Sequence, residues 1–154
     1  MKNVLFVCLG NICRSPMAEA VMRQKISQAG LDQEILVASA ATSRWEEGNA
    51  PHRGTQKILK AHQISIEGMY STPITEQDFY TYDYIIGMDH TNVADLKRMA
   101  PQDWTGDIHL FMSVVEAHQD EAVPDPYYTG DFDQTYDMVN QGTDAWLRIF
   151  QEGI

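Results

Sequence analysis

One feature constrains this chain more than any other: a continuous apolar run that ends in a seven-residue loop and then a helix start, VLFVCLGNICRSPMAEAV, Val4 to Val21. Asn3–Val7 has the uninterrupted apolar character of a fully buried strand. Over SPMAEAVMRQKISQAG the period changes to a helical one, with Ala18, Met22, Ile26 and Ala29 spaced by 4, 4 and 3. Ser15 suits the N-cap, Pro16 the first helical position and Gly30 the end. The loop between Cys8 and Ser15 therefore joins a strand to a helix.

The rest of the chain repeats the alternation. EILVASA (Glu34–Ala40), YDYIIGM (Tyr82–Met88) and DIHLF (Asp107–Phe111) read as three more strands. Helices are expected over GTQKILKAHQ and over NVADLKRMA, the latter closed by Pro101. VPDPYYTGD reads as a turn-rich loop, because proline disfavours helix in the residue before it. In the tail, Phe132, Tyr136, Val139, Thr143, Trp146 and Phe150 recur at alternating spacings of 4 and 3, a helical stripe. Strands alternating with helices predict an α/β fold: a three-layer α/β sandwich around a central four-stranded parallel sheet, with a phosphate-binding loop after the first strand. Ligands in such sheets bind at the carboxyl ends of strands, where the Cys8–Ser15 loop lies.

At 154 residues the chain is the size of one domain, and residues 1–154 are read as a single unit. A formal charge of -11 argues against broad nucleic-acid or anionic-membrane binding, since those partners reward a basic surface. A small anion is still compatible, because a cluster of backbone N–H groups and one arginine make a local positive pocket. The apolar run from Val4 is too short for a signal peptide and breaks at Gly10-Asn11; no stretch approaches a membrane span. Two cysteines in a chain of this size fit a reduced, cytoplasmic setting better than a disulfide framework.

The loop's chemistry follows from its residues. Leu9, Gly10, Asn11, Ile12, Cys13, Arg14 and Ser15 can turn most of their N–H groups into one concavity, to which the following helix adds its positive end. Gly10 permits close approach and unusual φ, and Asn11 tolerates the left-handed region. Arg14 can donate two parallel hydrogen bonds to phosphate oxygens, which lysine cannot do in the same geometry. Cys8, at the strand's end, would point its sulfur into the same bowl, and surroundings that bind phosphate also favour a thiolate. Each residue alone has a plainer reading, a buried strand cysteine and a surface arginine; the ordered set is specific.

VCLGNICRSPMAEA resembles the signature of the low-molecular-weight protein tyrosine phosphatase family, C-x-x-G-N-x-C-R-S, without a mismatch. The resemblance continues in SAATSRWEEGN (Ser39–Asn49), YDYIIGMD (Tyr82–Asp89) and VPDPYY (Val123–Tyr128). It implies hydrolysis of phosphotyrosine through a cysteinyl-phosphate, with Cys8 as nucleophile, Arg14 as the clamp on phosphate oxygens and Asp125 as the acid. By itself Asp125 reads as a turn aspartate before Pro126. The resemblance further implies that Asn11, Ser15 and Ser39 share a network holding the loop, and that Trp45, Tyr127 and Tyr128 form the pocket rim. It makes Cys13 a redox partner that captures oxidised Cys8 as a disulfide; the plainer reading is a small packing residue. No metal and no organic cofactor are implied. Implied partners are phosphotyrosine-containing proteins, with a tyrosine kinase as opposing enzyme, for a monomer or weak dimer without nucleic acid or membrane insertion.

Two alternatives stand beside this reading. Protein-arginine phosphatases of the same family carry threonine where this loop has Ile12 and lack the paired tyrosines. A phosphoryl carrier or phosphate-binding module would also suit Cys8 on such a loop, but has no need of Asp125 as acid. His52, His62, His90, His109 and His118 show no metal spacing and read as surface or packing residues. The segment IEGMYSTPIT (Ile66–Thr75) departs from the family, which commonly has a histidine there supporting the loop; Tyr70 or Ser71 is the candidate replacement donor.

Overall fold

The structure is a computed structural model that describes residues 1–152. Its sheet has four parallel strands, β1 (Lys2–Cys8), β2 (Ile35–Ala41), β3 (Tyr84–Gly87) and β4 (Ile108–Leu110), in the order β2-β1-β3-β4. β1 is central and alternates its side chains between two cores. Val4, Phe6 and Cys8 face one, with Met17, Val21, Met22, Trp146 and Phe150; Leu5 and Val7 face the other, with Phe79, Ile85 and Leu96. Burial on both faces is why β1 has no polar alternation.

On the first side lie α1 (Arg14–Gln28), α2 (Arg53–Ala61) and α6 (Phe132–Gln151); on the other lie α3 (Glu76–Thr81) and α4 (His90–Met99). The α6 stripe is buried through Val139, Thr143, Trp146 and Phe150, and the Trp146 indole donates to Phe111 O at 2.8 Å. The α1 pattern is broader than the expected stripe. Every residue from Arg14 to Met22 is buried, while Ala29 is exposed beside Gly30, whose φ of 72° reverses the chain.

The predicted strands and the helices over 54–63, 92–100 and the tail are all present, with ends shifted by one or two residues. Three short elements were not anticipated: α3, capped by Thr75 in a reciprocal box with Asp78; a 3-10 turn at Phe111–Val114; and α5 (Pro126–Thr129), inside the expected loop. Among the described residues, no helix is long and apolar enough to cross a membrane.

Candidate active site

β1 delivers Cys8 to the carboxyl edge of the sheet, paired with Ala41 of β2. The loop that follows turns its carbonyls outward. Leu9 O accepts from Ser43 N (3.1 Å) and Ser43 Oγ (2.8 Å), Gly10 O from Ser71 Oγ (2.8 Å), Ile12 O from His52 N (2.7 Å) and Cys13 O from Thr55 Oγ1 (3.4 Å). Five donor groups, from four residues outside the loop, thus hold its oxygens away from the bowl. The N–H groups of Gly10, Ile12 and Cys13 meet no backbone or side-chain acceptor among the described residues, and the first N–H groups of α1 have no helical partner. The result is a concave set of donors suited to a tetrahedral anion.

Asn11 takes the left-handed conformation, φ 55°, as anticipated. Gly10 does not: it is absent from the positive-φ glycines, and a Cβ there would make only ordinary contacts, 3.5 Å from Glu46 and 3.7 Å from Ile12. The turn's unusual backbone is thus carried by the asparagine.

The expected N-cap role of Ser15 is corrected by the structure. Cys13 occupies the cap position without a side-chain bond, and Ser15 sits inside the first turn, fully buried, with Oγ 3.0 Å from Cys8 Sγ. Asn11 N donates to the same sulfur at 3.3 Å, and Asn11 Nδ2 reaches Ser15 Oγ at 2.7 Å and Ser39 Oγ at 2.9 Å. The three expected support residues are therefore in one network. Ser71, not the exposed Tyr70, supplies the hydroxyl from the divergent 66–75 segment, and Thr72 N adds a bond to Asn11 Oδ1 at 3.0 Å.

The Arg14 side chain is 3% exposed. Its Nη1 donates to Asp89 Oδ2 at 2.6 Å and Val123 O at 3.0 Å, and Nη2 reaches Asp125 Oδ2 at 3.4 Å. Burial works against the guanidinium charge, but Cys8, Asp89 and Asp125 outweigh it and raise its pKa above the ordinary value. Arg14 Nε is buried without a partner. A donor left unsatisfied in a protein interior is costly unless a ligand meets it.

Asp125 has extended backbone, as its position before Pro126 requires, and caps α5 by accepting from Tyr127 N at 3.1 Å. It lines one cleft with Cys8, Cys13, Trp45, Tyr127 and Tyr128. Trp45 and Tyr128 are 78% and 75% exposed, so these aromatics stand at the cleft edge rather than in the core. Tyr127 leans edge-on against His52, which stacks on Phe132. Both cysteines are free thiols, and burial, joined by the charges of Asp125 and Cys8, pushes the Cys13 thiol up to about 12.

Asp89, Ser43, Glu46, His52, Thr55 and Thr72 belong to this site or its support and were not assigned from sequence. Asp89 closes the YDYIIGMD segment, where nothing local marks it as a partner of Arg14. Thr55 lies in the first turn of α2 and the others on connecting segments; all are single polar residues with no local signal of what they reach. Among the described residues, no cluster of three His, Cys, Asp or Glu is arranged to hold a metal.

The family model described as low molecular weight phosphotyrosine protein phosphatase matches residues 3–153. The chain is 44% identical over 152 residues to the low molecular weight protein-tyrosine-phosphatase YfkJ of Bacillus subtilis, covering 99% of this chain and 97% of that protein. The YfkJ crystal structure superposes with a TM-score of 0.95, covering 99% of this chain and 96% of that one. SP-PTP, a low molecular weight protein tyrosine phosphatase from Streptococcus pyogenes, is 47% identical with a TM-score of 0.88, covering 99% and 95%. The drosophila arginine phosphatase DARP is 33% identical with a TM-score of 0.90, covering all of both chains.

Proposed function

The chain belongs to the low molecular weight phosphotyrosine protein phosphatase family and is a cysteine-dependent protein-tyrosine-phosphatase; from that premise we propose how its residues divide the reaction. Cys8 Sγ attacks phosphorus as the bond to the phenol oxygen breaks, leaving a cysteinyl-phosphate. Asp125 enters this step protonated and gives its proton to the departing phenolate. It then takes a proton from water, whose oxygen attacks phosphorus and releases Cys8 as thiolate and phosphate as product.

Charge spreads over three equatorial oxygens in each transition state, and the loop N–H groups with Arg14 meet them there. The observation that supports this reading above others is the buried, unpartnered Arg14 Nε beside a thiol ringed by outward-turned carbonyls. Nη1 is already committed to Asp89 and Val123, so Nε and Nη2 form the phosphate-facing edge. The 3.4 Å contact from Nη2 to Asp125 is weak enough to yield when the arginine engages phosphate, freeing the carboxyl for proton transfer.

Trp45, Tyr127 and Tyr128 form a wall for a flat phosphophenyl group, which favours phosphotyrosine over the shorter phosphoserine. The whole chain acts as one catalytic domain on phosphotyrosine-containing proteins, opposed by a tyrosine kinase. The free thiols suit a reducing compartment such as the cytoplasm.

A panel of phosphotyrosine, phosphoarginine and phosphoserine peptides, offered to wild type, Cys8→Ser and Asp125→Ala, tests the proposal. Fast multiple-turnover release from phosphotyrosine alone, abolished in Cys8→Ser, is expected. Preference for phosphoarginine would move the chain to the specificity of DARP, and stoichiometric release without turnover would make it a carrier.

A further inference from the structure

Behind the loop, hydrogen bonds form a continuous line from the catalytic thiol to a buried carboxylate. Cys8 Sγ contacts Ser15 Oγ (3.0 Å), Ser15 Oγ accepts from Asn11 Nδ2 (2.7 Å), and Asn11 Nδ2 also donates to Ser39 Oγ (2.9 Å). Ser39 Oγ in turn donates to Glu19 Oε1 at 2.6 Å. Glu19 lies on α1, is 8% exposed, and takes the Arg23 guanidinium on its other oxygen. This outer end borders a second cavity, lined by Asn11, Glu19, Arg23, Ser39 and Thr72, which shares no lining residue with the Cys8 cleft.

Counting protons gives the line a direction. A carboxylate only accepts, so the Ser39 proton is committed to Glu19 and Ser39 meets Asn11 with lone pairs alone. Thr72 N–H holds Asn11 Oδ1, so the Asn11 amide turns both its hydrogens to Ser39 and Ser15. Ser15 Oγ then accepts from Asn11, and its own proton is left for the sulfur. The 3.0 Å contact by itself leaves either atom as donor; the relay makes it Ser15.

The geometry points to Glu19 as a positioning residue for the phosphatase reaction: its carboxylate holds the Ser39 proton away from the Asn11 amide and so, together with Thr72 N–H on Asn11 Oδ1, keeps the Ser39–Asn11–Ser15 relay in the polarity in which the Ser15 hydroxyl donates to Cys8 Sγ. That bond supports the thiolate as nucleophile in the first step and as leaving group in the second. The inference rests on Cys8 being the nucleophile. In Glu19→Gln one acceptor oxygen remains for two donors. With Arg23 holding it, an amide N–H faces Ser39, whose proton is then turned against the Asn11 amide.

The test is alkylation of Cys8 by iodoacetate, quantified at Cys8 by mass spectrometry at pH 6 and at alkaline pH, in wild type, Glu19→Gln, Ser39→Ala and the double variant, with thermal melts alongside. The charged and titratable groups around Cys8, namely Arg14, Asp125 and Cys13, and Asp89 behind Arg14, are untouched by these changes, and Glu19 itself faces Arg23 and, farther off, Tyr82. Glu19→Gln is expected to slow alkylation at pH 6 roughly three- to ten-fold, the size of one hydrogen bond, and to converge on wild type at alkaline pH. Ser39→Ala should match it, the double variant should fall no further, and Arg23→Ala should stay within about two-fold of wild type. A wild-type rate in Glu19→Gln, a further drop in the Ser39→Ala background, or a loss that persists at alkaline pH overturns the proposal. Should Glu19→Gln not fold, Ser39→Ala carries the test by itself, and a wild-type rate there overturns it. Undiminished turnover in Cys8→Ser would instead remove the nucleophile reading on which the inference stands.

Discussion

Asp89 binds Arg14 and the start of α4 with different oxygens: Oδ2 accepts from Arg14 Nη1 at 2.6 Å, and Oδ1 accepts from Asn92 N at 2.7 Å. One side chain at the end of β3 therefore both caps a helix and aims the arginine. Asp89→Asn keeps an oxygen for the cap but turns an amide toward Nη1. Turnover of an aryl phosphate should fall on the order of 10- to 100-fold through misaiming, with little change in melting temperature. Asp89→Ala should lose a further ~1 kcal/mol of stability with the cap. Steady-state kinetics paired with thermal melts check both, and an unchanged kcat in Asp89→Asn would show that Arg14 needs no such guide.

Asp125→Ala should cost about 10² to 10³ in kcat on phosphotyrosine, the scale of general-acid help. On a phosphate ester whose phenol is strongly acidic the loss in the first step should shrink, because that leaving group needs no proton. A series of aryl phosphates of graded leaving-group acidity reads this as a steeper dependence in the variant. Equal losses across the series would assign Asp125 another role.

Trp45, at 78% exposure, contributes little to the core, so its removal isolates the cleft edge. Trp45→Ala should weaken kcat/KM for an aryl phosphate by roughly ten-fold, consistent with about 1.5 kcal/mol of aromatic contact. A small alkyl phosphate, which cannot reach the wall, should lose far less. Parallel losses would count against the rim assignment.

Cys8 and Cys13 border the same cleft as free thiols. If Cys13 is the redox partner of Cys8, peroxide should convert Cys8 to a sulfenic acid, and attack by Cys13 sulfur should expel hydroxide, taken up with the Cys13 proton as water, leaving a disulfide. Because burial holds the Cys13 thiol at about 12, closure should speed up with pH, by up to about ten-fold per unit. Wild type should recover fully with added thiol after a peroxide pulse, and Cys13→Ser should recover less. Equal recovery would remove the protective role.

The same raised thiol has a stability consequence of definite sign. Its proton is held more tightly in the folded chain than at the ordinary value of 9.0, so the stabilisation is fully present below pH 9 and is lost as pH rises towards about 12. The slope approaches ~1.4 kcal/mol per pH unit within that window. Denaturant melts of wild type and Cys13→Ala at pH 8, 9.5 and 11 should therefore show the wild type losing more stability. Parallel curves would contradict the burial of Cys13 as a thiol.

Much of this molecule was legible along the chain. The double-sided burial of β1 appears as an unbroken apolar run, and the α6 stripe appears as 3- and 4-residue spacings, because each pattern is local and periodic. Cys8, Arg14 and the left-handed Asn11 could be read from one contiguous loop. Ser15 was misread because an N-cap and a buried first-turn serine look alike until its hydroxyl is seen on a sulfur. Gly10 was misread because a glycine in a turn does not reveal which neighbour carries the positive φ.

By itself, then, the sequence determined the strand-loop-helix unit, the order of the strands and longer helices along the chain and the thiol-guanidinium pair, all of which depend on residues within a few turns of one another. Only the tertiary structure decided what surrounds them. Ser43, Ser71, His52 and Thr55 turn the loop carbonyls outward, Asp89 aims Arg14, and Glu19 closes the relay through Ser39. These contacts are set by which single polar side chain the packing of distant segments brings within hydrogen-bond reach. Hydrogen-bond geometry tolerates only a few tenths of an ångström, and no spacing along the chain encodes it.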